Sequence, residues 1–264
     1  MNVFNRHTVC HHRNRAAAEL KNHDFLFAET GERLCDRLDD IYRKFPVALD
    51  LGCRTGGLSR MLGKRGGIKE LIQCDLSQAM SERAGAMALV TDEEFLPFAP
   101  ESFDLVMSNL TLHWVNDLPG CLTQIRRTLK PEGLFLAAML GGETLKELRQ
   151  SLAKAEAAID GGLSPRISPF ADVKDVGNLL QRAGFTLPVA DMETIIVSYP
   201  DPLKLMKDLR AMGESNAIIE ARKGFTSRNL LMEAARYYME DFAGDDGRIP
   251  ASFQVISLSA WVGE

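Results

Sequence analysis

The stretch Val47-Ala48-Leu49-Asp50-Leu51-Gly52-Cys53-Arg54-Thr55-Gly56-Gly57 joins an apolar run to a glycine turn, and helical spacing begins directly after it. That order is the signature of a buried strand feeding a helix through a tight turn. Glycines there reach backbone angles that other residues resist, and they let a ligand come close to the main chain. The next apolar run, Glu70–Asp75, closes on an acid. A carboxylate at a strand end, ~20 residues beyond the turn, can accept both hydroxyls of an adenosine ribose. The stretch therefore predicts a nucleotide-type cofactor held at the carboxyl ends of parallel strands.

Outward from it, short apolar runs alternate with helical patterns. Strands are expected at Val47–Leu51, Glu70–Asp75, Met87–Val90, Phe103–Asn109, Leu134–Leu140, Val189–Val197 and Ser252–Trp261. Helices are expected at Leu58–Lys64, Ser77–Ala86, Pro119–Leu129, Thr144–Ile159, Val173–Ala183 and twice within 202–242. The alternation implies an α/β fold, a Rossmann-like, seven-stranded and mostly parallel sheet with helices on both faces. Ser77 and Asp172 are expected N-caps, and Gly133 and Gly184 are expected helix stops. The turn-rich Gly244-Asp245-Asp246-Gly247-Arg248-Ile249-Pro250 suits a last strand entering at the sheet's edge. Without an internal repeat or a low-complexity linker, residues 1–264 read as one domain. Residues 1–45 are its N-terminal helical segment and 200–243 a lid insertion over the cofactor pocket.

The 264 residues suffice for a well-buried α/β core, and a net charge of -5 argues against a dedicated nucleic-acid binder. Cys10, Cys35, Cys53, Cys74 and Cys121 form no C-x-x-C pair, which fits reduced thiols in a cytosol-like compartment. No apolar run is long enough to span a bilayer and no signal-peptide core is visible, so a cytoplasmic protein of bacterial type is expected. The alternative is the mitochondrial matrix, because Arg6, Arg13, Arg15 and Lys21 against Glu19 make an exposed basic arm like that of a transit peptide. His7, Cys10, His11 and His12 lie on this arm without a matching distal pair, and no metal site is expected.

Ligands of an open parallel sheet bind beyond the strands' carboxyl ends, where Asp50, Gly52, Asp75, Asp92 and Asn109 fall. Asp75, followed by Leu76, is expected to take the ribose hydroxyls; the competing role is a carboxylate at the N-terminus of the next helix. Asp92, with Glu93 beside it, either accepts the adenine amino group or forms a solvated acidic turn. Asp50 is expected to orient the glycine loop. The glycine order Gly52-x-x-x-Gly56-Gly57 does not fit a dinucleotide fingerprint. It resembles the D-x-G-x-G-x-G loop of class I S-adenosylmethionine methyltransferases, with Arg54, after Cys53, where that loop usually has its middle glycine. Either the Arg54 guanidinium pairs with the carboxylate end of the cofactor, or its Cβ crowds the site. His113 and Trp114, after the fourth strand, are then beside the reacting methyl group, the histidine as general base, polar wall or structural residue.

Several longer strings resemble one family within that class. They are Phe95-Leu96-Pro97-Phe98, Phe103-Asp104-Leu105-Val106, Leu112-His113-Trp114-Val115-Asn116-Asp117-Leu118-Pro119, Gly141-Gly142-Glu143-Thr144-Leu145, Ser164-Pro165-Arg166-Ile167-Ser168-Pro169-Phe170 and Met212-Gly213-Glu214-Ser215-Asn216. The resemblance is to mitochondrial complex I assembly factor 5 and its bacterial relatives, and it spans nearly the whole chain. It implies S-adenosylmethionine as cofactor and a protein acceptor, an arginine of a respiratory complex I subunit, methylated or hydroxylated. Arg210, Glu214, Ser215 and Asn216 are the candidate substrate contacts; a helix C-terminus capped at Gly213 is the plainer alternative. The chain is more distantly similar to the malonyl-carrier-protein O-methyltransferases of biotin synthesis, where Arg166 or Arg210 would clamp a carboxylate. A third reading is a non-catalytic, cofactor-binding assembly factor. Hydroxylation calls for an oxidant, and no 2-His-1-carboxylate set is evident in the sequence.

Overall fold

A computed structural model of the chain describes residues 2–264 apart from Ala86, Lys223 and Phe225. Ala86 closes an expected helix and the other two fall in the expected lid, so those points lie outside the described residues. Val47–Leu51 forms β1, buried from Ala48 onward as its apolar run demands. The elements before it are α1 (Arg6–Ala16) and α2 (Phe25–Asp39). After it come α3 (Gly57–Leu62), β2 (Glu70–Asp75), α4 (Gln78–Ala84), β3 (Ala88–Val90), β4 (Phe103–Asn109), α5 (Leu118–Thr128) and β5 (Leu129–Leu140). The chain ends with α6 (Lys146–Asp160), α7 (Val173–Arg182), β6 (Thr186–Tyr199), α8 (Pro202–Met212), α9 (Arg228–Phe242) and β7 (Ile249–Trp261).

The strands make one seven-stranded sheet in the order β3-β2-β1-β4-β5-β7-β6. β3 to β5 pair in parallel, and β7 runs antiparallel to both β5 and β6. The strand order reverses between β1 and β4, so the crevice beyond their carboxyl ends is the natural ligand position. The expectation that the last strand enters at the edge is corrected: β7 inserts between β5 and β6, and β6 takes the edge. Burial explains the exchange, because β7 is covered almost throughout while β6 is exposed at many positions.

Ser77 caps α4 by accepting from Met80 N at 3.1 Å, and Asp172 caps α7 by accepting from Lys174 N at 2.9 Å. Gly184, with φ +87°, follows the end of α7. Gly133 does not stop a helix: α5 ends at Thr128, Leu129 is already extended, and Gly133 lies inside β5.

The basic N-terminal arm is not an exposed tail. Asn5 caps α1 by accepting from Thr8 N, and α1 packs against α4 and α8 with Val9, Arg13 and Ala16 inward. Phe4 meets the Trp114 ring edge-on at 5.2 Å. Among the described residues no helix is long and apolar enough to cross a membrane.

Candidate functional site

The glycine turn builds one wall of the site. Gly52 (φ +77°) lies so near Thr111 that a Cβ would strike its side chain, and a Cβ at Gly56 (φ +75°) would lie 2.7 Å from Ala84 O. Arg54 adopts the same left-handed region, with φ +50°, where a side chain costs ~1–2 kcal/mol. Beside the turn lies a cavity of ≈ 160 Å³ whose lining includes Asp24, Phe27, Asp50, Gly52, Arg54 and Asn109.

Asp50 is 1% exposed, and among the described residues neither carboxylate oxygen makes a well-formed hydrogen bond, although the Gln73 amide lies close by. Burial, and then the charge of Asp75, push its pKa up to about 7, with Gln73 opposing. An unpartnered buried carboxylate on a cavity wall suits an ammonium or another hydrogen-bond donor. It also sets a pH dependence. Folded Asp50 keeps its proton more tightly than the unfolded residue, so stability should fall as pH rises from about 4 to about 7 and then level off. Asp50→Asn should flatten that decline. Urea titrations of both proteins between pH 5 and 8 check it, and an identical slope in the variant would clear Asp50 of the effect.

At the end of β2 the structure shows what the sequence did not. Asp75 Oδ2 accepts from Arg54 N at 3.1 Å, while Oδ1 accepts from Ser77 N at 2.8 Å and from Arg13 Nη1 at 3.3 Å. Arg13, 1% exposed, also donates to Glu93 Oε1 at 2.6 Å and to Thr111 Oγ1. Arg6 joins it, donating to Asp92 at 2.6 Å, to Glu93 and to Trp114 O. Burial alone would raise the Glu93 carboxyl; Arg13 and Arg6 outweigh it and hold the pKa at about 2. The acids expected to read a ribose and an adenine are thus neutralised by two arginines from α1. Leu76 lies in the same quarter, packed with Phe4, Val9 and Trp114.

Arg54 does not reach freely toward a cofactor carboxylate. Its Nη2 donates to Glu214 Oε1 and to Leu110 O, both at 2.7 Å, and its guanidinium lies 3.9 Å from the centre of the Phe27 ring. Nε and Nη1 have no partner. The other oxygen of Glu214 accepts from Trp114 Nε1 at 2.8 Å and contacts His113 Nε2 at 3.2 Å. Leu140 N donates to His113 Nδ1 at 3.4 Å, which assigns the proton to Nε2 and makes it the donor to Glu214. Burial lowers the His113 pKa, so the ring is neutral with both nitrogens engaged. In this state His113 is a buried structural contact between Leu140 and Glu214, with no free lone pair on its ring.

Glu214 and Trp114 line a second, larger cavity of ≈ 550 Å³ under α6, α8 and α9. The Arg54–Glu214 pair therefore stands between the two cavities. Arg210 and Ser215 line the larger one, and Asn216, also on its wall, donates to Pro165 O at 2.9 Å. Asn109 is engaged on both sides, accepting from Thr30 Oγ1 and donating to Phe27 O at 2.8 Å each, which ties α2 to the end of β4. Cys53 is buried and, like the other cysteines, a free thiol. Phe27 and Thr111 escaped the sequence reading as site residues, and Arg6 and Arg13 were read only as part of the basic arm. The one available signal was Arg13 itself, a cation on the helix face that carries Val9 and Ala16, which needs a buried anion opposite.

Comparison with known proteins adds four findings. Residues 49–137 match the family described as a methyltransferase domain. The mitochondrial arginine-hydroxylase NDUFAF5 of Homo sapiens is 44% identical over 268 residues, covering 99% of this chain and 77% of its own. The malonyl-[acyl-carrier protein] O-methyltransferase of Methylovorus is 35% identical, covering 94% of this chain and 86% of its own. Among solved structures, the YcgJ protein of Bacillus shares the fold with a TM-score of 0.60 at 14% identity, covering 89% of this chain and 99% of its own.

Proposed function

The chain belongs to the methyltransferase-fold family that includes the arginine-hydroxylase NDUFAF5, and from that premise we propose that it binds S-adenosylmethionine and modifies a protein acceptor. The acceptor in this reading is an arginine of a respiratory complex I subunit, modified during assembly, either by methylation from the cofactor or by hydroxylation, which would take its oxygen atom from a separate oxidant such as dioxygen with a reductant. The observation that carries it is the near end-to-end similarity of this chain to proteins named arginine-hydroxylases, 42–44% identical, above its 35% identity to the O-methyltransferase. The relatives' mitochondrial names support the matrix, the second of the two compartments the sequence allows.

The site supports the cofactor unequally along its length. At the amino-acid end, Asp50 offers an unpaired buried carboxylate to an ammonium, beside a turn that admits close approach. At the ribose end, Asp75 already accepts three hydrogen bonds, and it would hold the ribose hydroxyls only by giving up the bond from Arg13. When bound, the cofactor supplies an electrophilic methyl group. The chain's own residues hold and orient it, while Glu214 keeps the His113 and Trp114 donors in place beside the acceptor cavity.

Asp75→Asn should weaken S-adenosylhomocysteine about tenfold by calorimetry, the loss of roughly one charge-assisted hydrogen bond. Unchanged affinity would remove Asp75 from the ribose. The acceptor is tested by mass spectrometry of complex I subunits from cells with and without this gene. A methyl or oxygen mass lost from one arginine in the deletion strain is the expected result. Unaltered subunits, or rescue of a biotin auxotroph by the gene, would count against it.

A further inference from the structure

The larger cavity has a body and a mouth of different character. Leu145, Leu148, Leu152, Phe170, Met206 and Phe253 make its body apolar. Its ≈ 550 Å³ falls in the ~300–1,000 Å³ range of ligand sites. The ionisable groups on its wall are Arg166, Lys207, Arg210 and Glu214. The charge of Glu214 is balanced within the wall, where Arg54 donates to one of its oxygens and Trp114 and His113 engage the other. Arg166 is paired with Glu156 at 2.8 Å. Lys207 and Arg210 are exposed, and among the described residues neither makes an ion pair; the acid next to Lys207, Asp208, is taken by Lys204 and His23. Arg15, which reaches Ser215 at 3.4 Å, adds a third positive charge on this side.

A bare guanidinium approaching this mouth meets like charge, whereas a carboxylate meets opposite charge; such rim charges select partners and steer encounter. We propose that the cavity docks a segment of the protein acceptor in which apolar side chains and acidic residues flank the modified residue. The carboxylates face Lys207 and Arg210, and the apolar side chains enter between α6 and α8. This rests on the protein-acceptor reading above and specifies the neighbours that the acceptor residue must have.

Fluorescein-labelled peptides of equal length, each with one arginine among leucines and flanked by aspartate, serine or lysine, test it by fluorescence anisotropy in the presence of S-adenosylhomocysteine. The aspartate peptide should bind about tenfold tighter than the serine peptide, the sum of a few exposed ion pairs, and the lysine peptide weakest. Added salt should shrink the difference. In a protein carrying K207E and R210E, with its fold checked by circular dichroism, the order should invert. Equal binding of the aspartate and serine peptides would overturn the proposal, as would an unchanged order in the double variant. Octanoate binding that the aspartate peptide cannot displace would assign the cavity to a small amphipathic acid and also overturn it. Calorimetry with S-adenosylhomocysteine on the same preparation separates the two readings: if cofactor binds and no peptide does, the docking inference fails alone. If the aspartate peptide binds and the cofactor does not, the cofactor reading fails and the docking surface stands.

Discussion

Glu214→Ala should lower the free energy of unfolding by about 3–5 kcal/mol, because it strands the Arg54 guanidinium, 4% exposed, without its carboxylate. Arg54 already has two nitrogens without partners, and the deletion removes its charge-assisted bond at 2.7 Å. Arg54→Gly should cost less. It breaks the same pair but returns ~1–2 kcal/mol of left-handed strain and leaves Glu214 two donors, Trp114 and His113. The double variant should be less destabilised than the two singles added together, with a coupling of about 2 kcal/mol or more in a double-mutant cycle. Denaturant unfolding measures all four corners. A coupling near zero would mean that the pair does not form in solution.

The pair also carries a pH signature. Burial pushes the Glu214 carboxyl up, but Arg54 and then His113 hold it down at about 2. A carboxyl lower in the folded than in the unfolded chain stabilises fully above the unfolded value, near 4.3, and the benefit disappears as pH falls toward about 2. The coupling should therefore be intact at pH 7 and shrink steadily below pH ~4.

Local pattern made most of the fold legible. β1, β2 and β4 stand where their apolar runs put them, because the central stretch of a parallel strand is covered on both faces and has to be largely apolar. The start of β5 was hidden by Lys130-Pro131-Glu132-Gly133, a turn-like stretch where the strand is irregular, with a register shift against β4 and Glu132 at φ +59°. The position of β7 was hidden for a different reason: strand order depends on which neighbours cover it, and its own residues do not state that. The same limit governed the site. Gly52, Gly56, Asp50 and Asp75 announce a cofactor by their spacing, whereas the partners of the acids do not announce themselves. Arg13 meets Asp75 across 62 residues and Arg54 meets Glu214 across 160. Periodicity over a few turns of helix holds no information on contacts of that range.

The contact between Arg13 and Asp75 gives the other large expected effect, and it separates stability from affinity. Arg13→Ala removes the cation that bridges Asp75 and Glu93, both 0% exposed, so the protein without cofactor should lose about 3–5 kcal/mol. Arg6 still reaches Glu93 and limits the loss to the lower end of that range. Cofactor affinity should move the other way. On the proposed ribose assignment of Asp75, the hydroxyls would compete with Arg13 for Oδ1; in the variant that lone pair is open, and a ligand that binds only the folded chain stabilises it in proportion to its affinity. The melting-temperature rise produced by saturating S-adenosylhomocysteine should therefore be larger in Arg13→Ala than in wild type, even though the variant starts from a lower value. Equal rises would show that Arg13 and the ribose do not share Asp75. A smaller rise would show that Arg13 assists the cofactor, holding Asp75 and Glu93 in register for it.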